Sequence, residues 1–591
     1  MNELFIYLFF FVFSMAQTHF YRLPMGCDCG NLRAPGFFWA NGKISYSEFV
    51  ANSGNLGNKT AAFYLIFLSY KIFRKVPEMA PFLFFSIYNF ISTSTIFYFL
   101  SLDLPRQSAL AGGVTYLILS TFSRFYINYE SIEKYALLPI SIIIGVSIIK
   151  NPYSGFIVGA VGPLLIYFFK PTYFLEWAFI SAIQINYYQN QVEQIIAFTV
   201  SFCIIGIFNT VFRNREKKLL EMIPLLNTGL YNYWFRFRNH KVANGKKTAK
   251  SKPATDNTQL YKNINAFLMF FLPAIPGMIP IIVLIICGIS LLPVKLKIIL
   301  IGMFLSAVAA FIIQFRFYGY HYLTLLPSTA YVAAYVFNEL HSHSLFLLSF
   351  YSIIFGLLIL HIKDFFSTPE KLTSKLYTEI PHYRNRILAC PYLAEKIEPD
   401  ENDKILVWGD CAQLYIHTNC PSAFDYQEIT QWGYRMKPFL SPQLILNCLE
   451  KSPKYIFLMI DNINFDFLHK ITGLRYVRHK EVRVSNEIFP VFMLKNIDKI
   501  TYYPISSLEI DHIVWDFFSK SKKLNYFSLG NFENAEQIKN ISTSDDATLL
   551  KRALEDLNNK ILDNLFTPCR DISENEKHRH IWNSVKSYPH W

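Results

Sequence analysis

The sequence predicts a polytopic α-helical membrane protein that carries one C-terminal soluble α/β domain. Two observations lead to this fold class. About a dozen apolar stretches fill the chain before Lys363, whereas none long enough to span a bilayer follows it. The composition is 52% apolar and 17% aromatic, which exceeds that of an ordinary globular chain. We therefore expect a transmembrane domain over residues 1–363 and a soluble domain over residues 364–591.

The apolar stretches predict membrane-spanning helices because a helix needs about 20 apolar residues to cross roughly 30 Å of hydrocarbon. Several stretches are shorter. The first ends in Ser14-Met15-Ala16, which leaves a cleaved signal peptide open, but no Lys or Arg precedes it, so we prefer an uncleaved helix. The twelve predicted segments are Leu4–Ala16, Ala61–Phe73, Pro81–Leu102, Ser108–Phe125, Tyr135–Ile149, Ser154–Phe169, Thr172–Tyr188, Val192–Phe212, Ala266–Leu292, Leu296–Phe315, His321–Phe337 and Leu345–Ile362.

Basic residues set the expected orientation. Lys71, Arg74 and Lys75 follow the second segment and place that end in the cytoplasm by the positive-inside rule. The first polar loop, residues 17–60, then lies on the outer side. Twelve crossings that begin inside would, however, leave the C-terminal domain inside.

A miscounted crossing would resolve this conflict. We expect the error at the short pair around Lys170-Pro171 or at the proline-broken stretch Ala266–Leu292, and above all at the first of these. The basic loop 213–263 is long enough to lie outside despite its charge. The prediction is therefore an odd number of crossings among about 11–13 helices. The loop and the C-terminal domain then share the outer side.

The pattern beyond Lys363 is typical of a soluble α/β module. Short apolar runs predict buried strands, Ser441 predicts a helix N-cap, and two alternating runs predict a terminal hairpin. The predicted elements are strands over Lys404–Trp408, Tyr455–Ile460, Tyr476–Val484 and Phe489–Leu494, and helices over Ser441–Lys451 and Ala547–Leu565.

Charge and cysteine usage exclude several classes of protein. The net charge is +13, but the basic residues lie in loops beside apolar helices, which favours anionic lipid headgroups or a phosphorylated lipid substrate over nucleic acid. The nine cysteines form no CxxC pair and no cluster with zinc spacing. We expect no metal centre, no cofactor and no disulfide framework.

A series of short motifs runs through roughly residues 1–495. In order they are Asp28 within Gly26-Cys27-Asp28-Cys29-Gly30, then Asn41-Gly42-Lys43-Ile44-Ser45-Tyr46-Ser47-Glu48, Asn58-Lys59-Thr60, Tyr129-Glu130, Gly159 to Lys170-Pro171-Thr172, Arg316 with His321-Tyr322 to Pro327, Val407-Trp408-Gly409-Asp410 and Ser452 to Ile456. Together these motifs resemble one family of membrane enzymes, the dolichyl-phosphate-mannose-protein mannosyltransferase-like superfamily (glycosyltransferase family 39) with the GT-C fold, in its bacterial form.

The resemblance implies a division of roles. Asp28 is the expected catalytic base, and Glu48 the second catalytic carboxylate. The expected substrate-binding residues, at helix ends where they can meet the phosphate of a lipid-linked sugar, are Lys59, Lys170, Arg316, His321 and Tyr322. One departure is visible, because many members carry an Asp-Glu pair where this chain has Asp28-Cys29.

Each role has a structural alternative. Asp28 could cap a turn, and Glu48 could hydrogen-bond the loop backbone. The lysines could be interfacial residues that extend toward water, while Arg316 and His321 could anchor or cap a helix.

The expected function is transfer of a sugar from a polyprenyl-phosphate-linked donor to a lipid, glycan or protein acceptor on the outer face of a bacterial inner membrane. The partners are then the donor, the acceptor and membrane lipids, without nucleic acid. An alternative is a polytopic transporter or lipid flippase, although inverted repeats and charges at helix centres are not evident. A binding module on a membrane anchor would not need a dozen segments.

Overall fold

The structure is a computed structural model that describes residues 3–22, 25–46, 48–49, 60–120, 132–148, 153–169, 171–188, 192–205, 292–312, 323–341, 381–409, 411–423, 452–459, 462–497 and 566–567, with scattered positions at 289 and between 348 and 373. Within these residues the chain is largely helical, with a mixed sheet in its C-terminal region, as the sequence predicts.

The helices follow the predicted apolar segments closely. Pro81 and Pro327 lie in the first turns of their helices, where a missing N–H is tolerated. The helices are, in chain order, α1 (Glu3–Ala16), α2 (Cys27–Ala40), α3 (Thr60–Ile72), α4 (Ala80–Ser101), α5 (Arg106–Ser120), α6 (Ile132–Ile148), α7 (Ser154–Phe168), α8 (Phe174–Tyr188), α9 (Val192–Ile205), α10 (Val294–Ile312), α11 (Leu326–Leu340), α12 (Pro381–Ile397), α13 (Gln413–Thr418) and α14 (Phe465–Thr472).

The C-terminal region holds a four-stranded mixed sheet in the order β1-β2-β5-β4. Strands β1 and β2 are parallel, and β4 and β5 form the predicted antiparallel hairpin. A second, two-stranded sheet pairs β3 with β6. The strands are β1 (Ile405–Trp408), β2 (Tyr455–Leu458), β3 (Asn462–Ile463), β4 (Leu474–Val484), β5 (Glu487–Ile497) and β6 (Phe566–Thr567). The four predicted strands are confirmed, whereas the predicted helices 441–451 and 547–565 lie outside the described residues.

The first hydrophobic core belongs to a helical bundle made by α1, α4 to α8, α10 and α11. Its helices approach closely at small residues. A Cβ at Gly112 of α5 would lie 2.5 Å from Leu100 Cδ1 and 2.9 Å from the carbonyl oxygen of Ala330. Gly112 therefore lets α5 contact α4 and α11 at once, as small residues do in membrane bundles.

Helix α4, with 22 residues, is the one helix among the described residues that is long and apolar enough to cross a membrane. The other bundle helices are apolar but shorter, or are described over fewer residues. The predicted number of crossings therefore stays a prediction.

The second hydrophobic core unites the C-terminal sheet and α12 and α13 with two helices from the first loop region, α2 and α3. The predicted loop 17–60 is thus partly helical. Helix α3 runs along α2, with Gly36 against the backbone of Phe67 and with Phe37 and Tyr70 in edge contact at 5.2 Å.

This packing bears on the expected role of the second apolar segment. The 13 residues of α3 reach about 20 Å, short of the hydrocarbon thickness. Its buried residues Ala62, Phe63, Ile66 and Tyr70 join the C-terminal core and not the bundle core. The assignment of α3 as the second membrane helix is therefore not supported by its packing.

The chain directions show where the other segments run. Glu3 and Arg106 form an ion pair of 2.7 Å, so α1 and α5 begin at the same end of the bundle, and α4 runs in the opposite direction between them. Ser154 and Gln184 are hydrogen-bonded at 2.8 Å, and α7 and α8 pack as an antiparallel pair. Lys170 lies outside the described residues, so the expected error at Lys170-Pro171 stays a prediction.

The contact of α2 with α13 yields a stability prediction. A Cβ on Gly30 would overlap the backbone of Ala412 and Gln413. We expect Gly30→Ala to lower the free energy of unfolding by about 1–3 kcal/mol, because the backbones must separate. The measurement is thermal unfolding in detergent. Gly356→Ala, which adds a Cβ with nothing within 4 Å, is the control and should unfold like the wild type. Equal melting of the Gly30→Ala variant and the wild type would contradict the close contact.

Candidate functional site

Asp28 lies in the first turn of α2, and not in a tight loop as expected. Gly26 precedes the helix in an extended conformation, and Gly30 N–H donates to the Gly26 carbonyl oxygen at 3.0 Å. This hydrogen bond closes the first helical turn around Asp28. The backbone of Asp28 is thereby placed at the N-terminal end of α2, while its side chain lies outside the described part of the structure.

The beginning of α2 contacts the C-terminal domain directly. Gly30 lies against the backbone at the start of α13. Beyond the other end of α2, Lys43 Nζ donates to the Asn419 carbonyl oxygen at 2.8 Å and pairs with Glu401 at 3.2 Å. A partly exposed ion pair adds little stability, so the close packing at Gly30 is the stronger restraint.

Two buried cations contact the beginning of α4, one from α2 and one from α6. Arg33 of α2 is 4% exposed, and its guanidinium carbon lies 4.6 Å from the ring centre of Phe82. Lys134 of α6 is fully buried, and its Nζ lies 4.6 Å from the ring centre of Phe85. Phe82 and Phe85 are three residues apart on α4, so both cations contact the first two turns of that helix.

Asn89 continues the same face of α4 one turn further into the bundle. It is 1% exposed, and among the described residues neither its amide nitrogen nor its amide oxygen has a hydrogen-bond partner. A buried amide without partners costs free energy unless a ligand or water satisfies it. Nearby, the hydroxyl of Tyr88 donates to the backbone carbonyl of Tyr135.

This arrangement suits an anion with a polar headgroup and an apolar tail. Two positive charges in a site of low polarity attract an anion more strongly than they would in water. The aromatic rings stabilise the cations before an anion binds. The apolar bundle core begins directly below. A phosphate at Arg33 and Lys134 would place an attached hydrocarbon chain against the bundle.

His417 adds a titratable group on α13, beside Arg33. The residue is exposed, but protein atoms surround much of its imidazole. Desolvation by the surrounding protein and, secondarily, the positive charge of Arg33 lower the pKa of the His417 imidazole to about 4. The ring is therefore neutral at physiological pH and can accept or donate one hydrogen bond at each nitrogen.

Glu48 has a local structural role. The Ser45 N–H donates to Glu48 Oε2 at 2.8 Å, and the Glu48 N–H donates to Ser45 Oγ at 3.2 Å. This reciprocal pair is a capping box. The backbone hydrogen bonding left open as the structural alternative for Glu48 is therefore present, and its catalytic role stays a prediction.

The expected substrate-binding residues cannot be compared with this geometry. They all lie outside the described residues: Lys59, Lys170, Arg316, His321 and Tyr322. Their roles stay predictions. The described part of the chain holds no group of three or more His, Cys, Asp and Glu residues that could bind a metal ion.

Sequence reasoning missed Arg33, Lys134 and Asn89. Lys134 carried one signal, because a lysine in the first turn of an apolar helix opposes the helix dipole and is unfavourable there without another role. No protein-family model and no curated protein matches the chain.

The buried cations yield a binding prediction. Lys134→Met keeps the length of the side chain and removes its charge. We expect it to weaken binding of a short-chain polyprenyl phosphate by about tenfold or more, the value of a lost charge-assisted hydrogen bond. Lys297→Met, a partly buried lysine at the start of α10, is the matched control. Titration calorimetry in detergent measures both. Equal affinity in the Lys134→Met variant would rule out this anion site.

The lowered pKa of His417 yields a pH prediction. Between pH 6.5 and about 4 the unfolded chain binds a proton at this histidine and the folded chain does not. Stability is therefore lost as the pH falls through this window. We expect the loss to be smaller in His417→Gln. Carboxylates contribute equally to both proteins, so the difference between two series of unfolding curves reports on His417. Parallel curves would contradict the shift.

Proposed function

We propose that the chain is an integral-membrane glycosyltransferase of GT-C type. It transfers a sugar from a polyprenyl-phosphate donor to a lipid, glycan or protein acceptor at the outer face of a bacterial inner membrane. One observation carries the proposal: the helix that bears Asp28 also carries the buried Arg33, which contacts the start of α4, and α4 contacts a second buried cation, Lys134.

Exposed apolar side chains support the placement in a membrane. A soluble protein rarely exposes a large continuous apolar surface. Helices α1 and α9 expose many large apolar residues, which are Leu4, Phe5, Leu8, Phe9, Phe11 and Val12 on α1 and Val192, Ile195, Ile196, Phe198, Val200, Phe202 and Ile204 on α9. Acyl chains are a suitable environment for these faces.

The packing of α3 supports the proposed orientation. When α3 does not cross, the twelve predicted segments leave eleven crossings, which is an odd number. A chain that begins inside then ends outside. This agrees with the direct contact between α2 and α13, since α2 and the C-terminal domain must lie on the same side of any membrane that the bundle spans.

The chemistry follows from the residues at this junction. Asp28 accepts the proton of the acceptor hydroxyl, whose oxygen attacks the anomeric carbon of the donor sugar. The bond between that carbon and the phosphate oxygen breaks, and polyprenyl phosphate leaves with the electron pair. Arg33 and Lys134 offset the charge that develops on the leaving phosphate. Arg33 and Lys134 take this role instead of the cations first expected at Lys59, Arg316 and His321, or share it with them.

The assignment of Asp28 is tested by Asp28→Asn, which keeps the shape and removes the proton acceptor. We expect turnover of a polyprenyl-phosphate sugar to fall by about 10²-fold or more. Asp466→Asn, at an exposed position in the first turn of α14, is the control and should turn over like the wild type.

Release of polyprenyl phosphate by purified protein is the readout, and folding is checked by gel filtration. Turnover near the wild-type rate in folded Asp28→Asn would remove Asp28 as the base. Movement of the intact donor across a vesicle membrane without release of phosphate would favour the transporter instead.

A further inference from the structure

Helix α3 leaves one apolar face uncovered in the described structure. Leu68 and Ile72 are four residues apart, lie on one face of the helix, and are 42% and 57% exposed. Val76, in the turn that leads to α4, is 42% exposed as well. We call these three residues the α3 stripe. The opposite face, with Ile66 and Tyr70, is buried in the C-terminal core.

Cations border the α3 stripe. Lys71, Arg74 and Lys75 are all exposed, and Glu78 is the one acidic residue in the same segment. An apolar stripe flanked by lysine and arginine is typical of helices that lie in a membrane interface, with the apolar side chains among acyl chains and the cations at anionic headgroups.

The position of the stripe fits this environment. The segment leads directly into α4, the helix long enough to cross a membrane. Arg33 contacts Phe82 in the first turn of α4, so this end of α4 lies beside the C-terminal domain. The α3 stripe is therefore placed at the level where the bundle ends.

We propose that the α3 stripe docks on the anionic lipid surface on the side of the C-terminal domain. Leu68, Ile72 and Val76 insert among the acyl chains, and Lys71, Arg74 and Lys75 contact lipid phosphates. This inference rests on the membrane placement proposed above and not on glycosyl transfer. It also accounts for basic residues on the outer side, because these three cations hold an interfacial helix and do not mark a cytoplasmic loop.

The test measures the depth of position 72 in the full chain. A fluorescent amino acid, acridonylalanine, is introduced at Ile72 by codon suppression, and the protein is placed in nanodiscs that contain phosphatidylglycerol and doxyl-labelled lipid. The matched control carries the same probe at Tyr392, an exposed residue of α12 in the C-terminal domain. We expect strong quenching at position 72 and little at position 392. Equal quenching at both positions would overturn the proposal.

Charge removal tests the choice of lipid. Each cation near an anionic surface strengthens binding by about fivefold, so Lys71→Gln, Arg74→Gln and Lys75→Gln together should reduce quenching at position 72 by about twofold or more. The reduction should disappear in discs of phosphatidylcholine. Unchanged quenching in the triple variant would exclude an anionic lipid contact.

A dimer in detergent that Leu68→Glu dissociates would assign the stripe to a second copy of the chain and overturn the proposal. Neither the quenching nor the oligomeric state depends on turnover, so a failure of the enzymatic proposal can be distinguished from a failure of this one.

Discussion

The whole arrangement depends on how closely α2 fits between its neighbours. Gly30 allows the backbone of α13 to touch the helix, and Gly36 allows the backbone of α3 to do the same on another side. Between these two contacts Arg33 reaches the start of α4. Small residues in α2 thus let the C-terminal domain, α3 and the start of α4 all contact this one short helix. A larger side chain at Gly30 would separate the C-terminal domain from the helix that carries Asp28.

The second constraint is electrostatic. Burying Arg33 and Lys134 in a junction of low polarity carries a desolvation cost, and the rings of Phe82 and Phe85 offset part of it. A site that tolerates this cost is prepared for an anion, because charge placed in advance need not reorganise when the anion arrives. The buried Asn89 follows on the same face of α4, which continues into the apolar bundle core.

Local features were predictable from the sequence, whereas tertiary choices were not. Apolar runs located the bundle helices and the strands β1 and β2, because burial of either element requires continuous apolar sequence. At α3 the same signal does not distinguish a core helix from a membrane helix, because the two have similar compositions. The contact of both Arg33 and Lys134 with α4 was not predictable, because the two residues lie far apart in the chain and reach α4 only through the packing of α2 and α6. Glu48 shows the reverse case, where a capping box was readable in the sequence Ser45-Tyr46-Ser47-Glu48.

The central claim is that the junction of α2, α4 and α6 binds the phosphate of a lipid-linked sugar. Photolabelling tests it most directly. A polyprenyl phosphate with a diazirine beside the phosphate is irradiated with the purified protein in nanodiscs, and the labelled peptides are identified by mass spectrometry. The account predicts labels on the first turns of α4 and α6 and on α2, with competition by unlabelled polyprenyl phosphate and none by the corresponding uncharged alcohol. Labels confined to the exposed faces of α1 and α9, with no effect of the competitor, would contradict it.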